Sequence, residues 1–236
     1  MSLQVAIVFL VLFLLGCSGN SLSPSDEVTV RLDFSEGQGG WTAGFADYPV
    51  AQEEVFELEA DYRPLPPPLD TSDHALFISG NNRSSDLFMF YKALLSDLSP
   101  DTRYRARFQL EIATDVPSGC IGIGGSPGES VFVKAGASQI EPETVVIDGA
   151  YRMNMDKGNQ AVGGESAVVM GDISNSFSCD QDNVPYELKQ LSSSGAGVEV
   201  TTGSAGDLWL LMGTDSGFGG KTSLYYRRLV VSFEPL

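Results

Sequence analysis

Apolar and polar residues alternate with a period of two along most of this chain. In residues 28–34 the apolar side chains fall on one side and the polar ones on the other. In residues 102–113, the longest such segment, apolar side chains face one way, and three arginines, Gln109 and Glu111 face the other. This period is that of a half-buried β-strand. The segments recur roughly every ten residues, with Gly, Asn, Asp or Pro between them, which indicates an antiparallel sandwich or barrel.

The remaining predicted strands share the same short length and the same turn residues at their ends. They cover residues 55–59, 75–79, 87–92, 120–123, 131–134, 144–147, 151–155, 167–170, 186–191, 198–202, 208–212 and 223–233. Helical spacing is rare, and the best candidate helix is residues 89–98, where Leu94, Leu95 and Leu98 recur before Pro100. The pattern therefore predicts an all-β fold.

The N-terminus carries a separate signal. Residues 4–16 are almost wholly apolar, and Cys17 follows them. Such a segment is shorter than the roughly 20 residues that span a bilayer, and it has the length of a signal-peptide core. An uncleaved anchor or a buried strand is the alternative.

The four residues that end this segment, Leu14-Leu-Gly-Cys17, resemble the lipobox of bacterial lipoproteins. The resemblance implies that residues 1–16 are removed and that Cys17 is acylated, so that the protein is held to the membrane by lipid. Ser18 follows the cysteine, which resembles the outer-membrane sorting pattern and implies an envelope protein facing the periplasm or the cell surface. Residues 17–26 then form a polar tether, and residues 27–236 form one domain.

Charge and composition exclude several functions. The 236 residues contain 31 acidic and 14 basic side chains, a formal net charge of −17. An acidic surface repels phosphate backbones, so nucleic acid is excluded as a partner. His74 is the only histidine, which excludes metal sites built from several histidines and leaves little room for a histidine-based triad.

The cysteines fit an exported protein. With Cys17 acylated, Cys120 and Cys179 remain as an even pair in an oxidising compartment. A disulfide between them closes a loop of about 60 residues and stabilises the fold by about 4 kcal/mol in the chain-entropy description. Two buried free thiols are the alternative.

Three segments of the chain have distinctive patterns. Residues 34–41 (FSEGQGGW) have that of an opening hairpin, residues 98–104 (LSPDTRY) that of a turn followed by a corner tyrosine, and residues 214–226 that of a closing pair of strands. Together, and in this order, they resemble jelly-roll carbohydrate-binding modules. The resemblance implies a jelly-roll-like β-sandwich that binds carbohydrate. It also implies a possible structural calcium at Asp33 and Glu36, although arginines 227 and 228 stand where the family often has an aspartate.

The same resemblance places a shallow ligand site beside the opening hairpin. Trp41, Asp47 and Tyr48 would form its loop side, and Tyr226 and Arg228, two residues apart on one strand, would share its face. An aromatic ring and a guanidinium suit a sugar acid or a sulfated sugar. The alternative is that Tyr226 packs under a loop while Arg228 reaches water. Trp209, in an apolar segment, is predicted to belong to the core.

Two charged ladders complete the candidates. Glu57, Glu59 and Asp61 alternate along one predicted strand and resemble the acid ladder of laminarinase-type glycosidases, which makes Glu57 and Glu59 the candidate catalytic pair. A solvated outer face is the alternative interpretation. The arginines of residues 103–107 either pair with that acidic ladder or receive an anionic ligand.

The sequence thus predicts an exported, lipid-anchored envelope protein with a non-catalytic β-sandwich that binds carbohydrate or another surface ligand. A structural lipoprotein for envelope assembly, without a small ligand, is the second reading, and a glycan-cleaving hydrolase is the third.

Overall fold

The computed structural model describes residues 27–193, 195 and 197–236. The predicted signal peptide, the predicted acylation site Cys17 and the predicted tether lie outside the described residues. Within the described part, regular structure consists almost entirely of antiparallel strands, which confirms the predicted all-β sandwich. No helix among the described residues has the length and apolarity needed to span a membrane.

Fifteen strands are present in the described residues. In chain order they are β1 (Val28–Asp33), β2 (Thr42–Ala46), β3 (Tyr48–Pro49), β4 (Glu59–Pro64), β5 (His74–Asn81), β6 (Leu87–Leu95), β7 (Arg103–Thr114), β8 (Val131–Ser138), β9 (Thr144–Ile147), β10 (Ala150–Met153), β11 (Ala167–Asp172), β12 (Glu187–Ser192), β13 (Val198–Thr201), β14 (Leu208–Ser216) and β15 (Lys221–Pro235). A 3₁₀ turn, Phe34–Glu36, follows β1, and a short helix, α1 (Glu53–Phe56), precedes β4.

The strands form two large sheets and one small one. The seven-stranded sheet has the order β12-β7-β15-β5-β4, with β1 paired to β15 and β13 paired to β7. The five-stranded sheet has the order β11-β8-β14-β6-β2, and β3, β10 and β9 form the small sheet. Because β14 and β15 are consecutive but belong to different sheets, the turn between them joins the two layers at one end of the sandwich.

The core lies between the two large sheets and follows from the period-two pattern. On β8, for example, Val131, Val133 and Ala135 face inward, and on β7 Phe108 and Leu110 do so. These side chains are almost fully buried, and burial of each large aliphatic or aromatic side chain contributes about 1.5–3 kcal/mol.

The predicted tyrosine corner is present where the chain enters β7. The ring of Tyr104 is buried against Phe233 at a centroid distance of 5.8 Å. The backbone N–H of Ser99 donates a hydrogen bond to the Tyr104 hydroxyl at 3.3 Å. The corner therefore ties the preceding turn to the core, as the sequence predicted.

Three local predictions are wrong. Residues 55–59 were predicted as a strand, but Glu53–Phe56 is helical, and the left-handed conformation of Glu57 (φ 48°) interrupts an extended path, so that only Glu59 of this range lies on a strand. Residues 120–123 form a loop in which Ile121 is fully exposed. The candidate helix at residues 89–98 is strand β6 and the turn after it, because both faces of that strand are covered along most of its length.

Cys120 and Cys179 form the predicted disulfide, with their Cα atoms 5.1 Å apart. The bond joins two loops that also exchange backbone hydrogen bonds through Ser118, which donates to Phe177 and accepts from Cys179. The cross-link thus fixes a long connection at the end of the sandwich where β14 and β15 meet.

Candidate ligand-binding face

The outer face of the five-stranded sheet carries aromatic, aliphatic and charged side chains along its central strand. Along its central strand β14, Trp209, Leu211, Gly213 and Asp215 point away from the core, alternating with the core residues of the same strand. A segment comprising residues 139–166, which we call the cover segment, packs on part of this face. Its ends are held by hydrogen bonds, including one from the Ala137 N–H to the Ser166 carbonyl. The face therefore has a covered end near Asp215 and an open end near Trp209.

At the open end, the ring of Trp209 is only partly buried. Trp209 lies directly between Leu94 on β6 and Ser138 on β8 in the strand register. The Leu94 side chain is half exposed. The ammonium of Lys92 lies 5.5 Å from the centroid of the Trp209 ring and 2.7 Å from a carboxylate oxygen of Glu141. The open end thus combines an accessible indole with a donor and an acceptor on its flank.

At the covered end, the same face is apolar and dry. Phe88 and Phe90 stack at a centroid distance of 5.4 Å and are almost completely buried together with Leu211. Met153 and Met155 of the cover segment pack against them. Gly44 makes room for this packing, since a Cβ atom there would lie 2.3 Å from the Phe90 ring.

Beyond this apolar layer lies a buried cluster of charges. Lys134 and Asp215 are fully buried, and their Nζ and Oδ2 atoms are 2.9 Å apart. Lys157 of the cover segment lies 2.8 Å from the same oxygen and 2.9 Å from Oδ2 of Asp47. The Gln160 N–H also donates to Oδ2 of Asp215, at 2.9 Å. The cluster satisfies most of its own hydrogen bonds, which buried charges require.

Lys134 also anchors the cover segment. Its ammonium donates to the backbone carbonyls of Lys157 at 2.9 Å and Val162 at 3.0 Å. A strand residue of the sheet thus holds two points of the segment above it.

The ionisation of the cluster follows from burial and from the partners. Burial lowers the pKa of Lys134, an effect that Asp215 only partly offsets. Burial likewise opposes the charges of Lys157 and Asp215, but their mutual attraction outweighs it, so that the pKa of Lys157 is raised and that of Asp215 is lowered. Burial, together with the charges of Asp47 and Asp215, raises the pKa of Asp86 to about 7. Asp86 therefore carries a proton in a large fraction of molecules at neutral pH.

Oxygens of Asp47, Asp86 and Asp215 lie within 4.8 Å of one another, which is close enough for a metal ion. The ammonium of Lys157 already lies between two of these carboxylates. A divalent cation there would have to displace it, so the donor set favours the lysines over a metal.

A depression of about 290 Å³ opens beside this cluster. Asp47, Asp86, Arg152, Lys157 and Asn159 line it, and Arg152 pairs with Asp47 at 2.9 Å. A second depression, about 330 Å³ in volume, lies at the sandwich edge between β2 and β4. Its aromatic groups are engaged, because the ring of Tyr62 stacks on His74 at 5.3 Å and the Tyr91 hydroxyl donates to the Phe77 carbonyl.

The structure separates the residues of the predicted ligand site. Trp41 is 1% exposed and packs edge-on against Phe34 at 5.7 Å, so its predicted surface position is wrong. Tyr48 is also buried, between Phe56 and Tyr151. Asp47, by contrast, belongs to the charge cluster at the covered end.

Tyr226 and Arg228 do not share a face. The register of β15 against β7 shifts between these two residues, because Arg227 is an extra residue in a β-bulge. Tyr226 is fully buried and faces Tyr91 across the core, whereas Arg228 reaches the outside and bonds Asp33. Spacing alone could not predict this, since a bulge reverses the alternation beyond it.

Both carboxylate oxygens of Asp33, the candidate calcium ligand, are already paired with arginine side chains. Arg227 Nη1 lies 2.6 Å from Oδ1 of Asp33, and Arg228 Nη2 lies 3.2 Å from Oδ2. Burial by itself raises the pKa of Asp33, but hydrogen bonds from Ser35 and Arg227 outweigh it and lower the pKa to about 2. Two guanidiniums thus neutralise this carboxylate, and a calcium ion there would have to displace them; Glu36 lies on the adjacent 3₁₀ turn.

The predicted acid ladder is also divided. Glu57 is the C-terminal cap of α1 with φ 48°, and its carboxylate accepts from Asn81 and Lys221, which lower its pKa. Glu59 lies on β4 and pairs with Arg63. A lowered pKa at Glu57 is the opposite of what a general acid requires.

The arginines of β7 have structural partners. Arg105 lies 3.0 Å from Glu199 on β13, and Arg107 lies 2.8 Å from Glu234 on β15. Arg103 also pairs with Glu199. The predicted ion pairing across the sheet is present, although with these glutamates and not with Glu57 or Glu59.

The sequence matches no protein-family model, and no curated protein sequence matches it significantly. Solved structures do resemble the fold. TmCBM61 in complex with β-1,4-galactotriose has a TM-score of 0.38 and 8% identity, covering 84% of this chain and 92% of that chain. A family 11 carbohydrate-binding module from Clostridium thermocellum, in complex with a β-1,3-1,4-mixed-linked tetrasaccharide, has a TM-score of 0.38 and 9% identity, covering 86% and 94%.

A third similar structure is the enzymatically active domain of tailspike protein 4 from bacteriophage CBA120. Its TM-score is 0.37 at 9% identity, and the match covers 92% of this chain but only 21% of that chain. Similarities at this level of identity and TM-score carry no function, so a function for this chain has to follow from its own residues.

Proposed function

We propose that residues 27–236 form a non-catalytic carbohydrate-binding domain, and that the open end of the five-stranded sheet is its binding face. The observation that supports this proposal is the partly exposed ring of Trp209, flanked by the Lys92 ammonium and the Glu141 carboxylate. An aromatic ring can stack on the apolar face of a sugar while neighbouring polar groups bond its hydroxyls.

The charge of the molecule narrows the ligand to neutral glycans. Lys92 is already paired with Glu141, and the whole chain has a net charge of −17. A polyanionic glycan would be repelled by this field. Because Arg228 is paired with Asp33, it no longer supports the sugar acid or sulfated sugar expected beside Tyr226.

Trp209 lines neither of the two depressions described above, so the affinity should be modest. Shallow sites bury little of a ligand, and an aromatic contact contributes about 0.5–1.5 kcal/mol beyond the buried area. Attachment to a surface through an acylated Cys17 would raise the effective concentration of such weak sites. The lipid anchor, the cleaved residues 1–16 and an outer-membrane location are parts of this proposal.

The test is an array of neutral and acidic polysaccharides, probed with the full chain and with Trp209→Ala. We expect retention on at least one neutral polymer and about tenfold weaker binding by the variant, because losing one stacking ring costs about 1.4 kcal/mol. Arg103→Ala, on the opposite sheet, is the matched control and should bind like the parent. Equal binding by Trp209→Ala and the parent would assign the ligand to another surface.

Two further measurements cover the remaining parts of the proposal. Release of reducing sugar from a retained polymer would contradict a non-catalytic role, most directly if Glu57→Gln or Glu59→Gln abolished it. Radiolabelled palmitate should enter the protein and fail to enter Cys17→Ala, and equal labelling of both would remove the lipid anchor.

A further inference from the structure

Lys134 and Asp215 hold an unusual position for two charged residues. Both are fully buried, and they come from neighbouring strands, since Lys134 on β8 is in register with Gly213 and Asp215 is two residues further along β14. The Lys134 Nζ atom is 2.9 Å from Oδ2 of Asp215. An amine and a carboxyl group at this distance, excluded from water, are placed for attack of one on the other.

The surroundings of Asp215 divide its two oxygens into different roles. Oδ2 receives the Lys157 ammonium at 2.8 Å and the Gln160 N–H at 2.9 Å. Oδ1 is buried and has no hydrogen-bond partner among the described residues, and neither has Oδ1 of Asp86. A proton on Asp86 that is donated to Asp215 would satisfy both, and carboxylate oxygens of the two residues lie within 4.8 Å of each other.

We propose that Lys134 and Asp215 become joined by an amide bond between Nζ and Cγ, with Asp86 transferring the protons. This cross-link does not depend on carbohydrate binding. It would staple β8 to β14 beneath the cover segment.

The steps balance without any further reactant. Asp86 gives its proton to Oδ1 of Asp215, and the resulting Asp86 carboxylate takes a proton from the Lys134 ammonium after a rotation of the Asp86 side chain, because Asp215 is the only carboxylate within 4.0 Å of Nζ among the described residues. The neutral Nζ attacks Cγ, and the negative charge that develops on Oδ2 is stabilised by Lys157 and by the Gln160 N–H. A second proton passes from the nitrogen through Asp86 to Oδ1, the Cγ–Oδ1 bond breaks, and Oδ1 leaves as water. One ammonium and one carboxylate become one neutral amide and one water, and Asp86 ends as the acid it was at the start.

Burial supplies the driving force for this reaction. Two desolvated charges are costly even when paired, whereas an amide is neutral and the released water can leave the site. The same reaction between exposed residues would lack this advantage and would compete with solvent.

The experiment is a proteolytic digest of the purified full chain, analysed by mass spectrometry. We expect a cross-linked peptide that joins Lys134 to Asp215 and weighs one water less than its two parts. Cleavage by trypsin after Lys134 should be lost, because the modified side chain is no longer a lysine. Lys189 and Asp172, whose Nζ and Oδ1 atoms are 2.8 Å apart but which are partly exposed, provide an internal control that should remain unlinked.

Asp86→Asn tests the proton transfer, since it preserves the shape of the side chain. We expect this variant to fold and to yield the two linear peptides in place of the linked one. Linear peptides from the parent protein after prolonged incubation at neutral pH would overturn the proposal and leave a buried ion pair. A linked peptide containing Lys157 would overturn the assignment of the nucleophile, and full linkage in Asp86→Asn would overturn the role of Asp86.

Discussion

The covered end and the open end belong to one face of one sheet, but they differ in whether their polar and aromatic side chains are buried or exposed. At the covered end Lys134 and Asp215 are fully buried, and the stacked rings of Phe88 and Phe90 are almost completely buried as well. At the open end an indole and a half-exposed leucine remain accessible. The strands beneath are continuous, so the difference comes from the cover segment and not from the sheet.

This contrast separates stability from recognition. Charges that are taken out of water must be compensated within the protein, so each member of the covered cluster depends on the others. The open end has no such constraint, because water can replace any contact that a substitution removes. We therefore expect substitutions at the covered end to change folding and those at the open end to change binding.

The largest effect should follow removal of the central carboxylate. Asp215→Ala leaves two buried lysines without their shared partner and also removes the proposed amide, so we expect a loss of at least about 3–5 kcal/mol in the free energy of unfolding. Urea denaturation followed by tryptophan fluorescence measures it. Asp172→Ala, which breaks the partly exposed pair with Lys189, is the matched control and should cost less than about 1 kcal/mol. Similar losses in both variants would mean that the buried cluster contributes no more to stability than a partly exposed ion pair.

A pair of aromatic truncations compares the two ends directly. Phe88→Ala removes a fully buried ring and should cost about 3–5 kcal/mol, whereas Trp209→Ala removes a partly exposed one and should cost no more than about half of that. The opposite order, measured by the same denaturation, would show that the indole supports the fold and is not held for a ligand.

The smallest expected effect concerns pH at the covered end. The pKa of Asp86 is about 7 in the folded chain and 3.8 without the fold, so the native state binds more protons between these values and loses stability as the pH rises through them. Above about pH 7 the loss is complete. In a Lys134→Met background, which cannot form the amide, adding Asp86→Asn should stabilise the chain by about 1 kcal/mol at pH 8. This is a fraction of the roughly 4 kcal/mol that a shift of about three pKa units corresponds to before solvent screening.

At pH 4 the two proteins of that comparison should unfold at nearly the same denaturant concentration, because Asp86 is protonated there. A difference that is equal at pH 4 and pH 8 would contradict the raised pKa and point to packing as the cause.

Local pattern alone predicted most strands of this protein. Residues 28–34 and 102–113, for example, alternate so regularly that their strand character follows from side-chain direction, and β1 and β7 lie there. The tyrosine corner and the disulfide were also predictable, since each depends on a few residues with strong preferences of their own. In α1, by contrast, Phe56 is the buried residue, and a single buried apolar position does not distinguish a helical from an alternating pattern.

The candidate site depended on contacts between distant segments. Alternation tells which residues of a strand share a face. The bulge at Arg227 reverses the alternation beyond it, so Tyr226 and Arg228 point to opposite faces of the sheet. Alternation also cannot tell which face another segment will cover. Trp41 and Trp209 exchanged their expected places because burial is decided by what packs on a residue. The Trp41 ring packs against Phe34 in the core, whereas beside Trp209 the cover segment contributes Glu141, which pairs with Lys92 on the flank of a ring that stays partly exposed. Sequence determined the strands, and tertiary packing alone decided where an aromatic ring stayed open to a ligand.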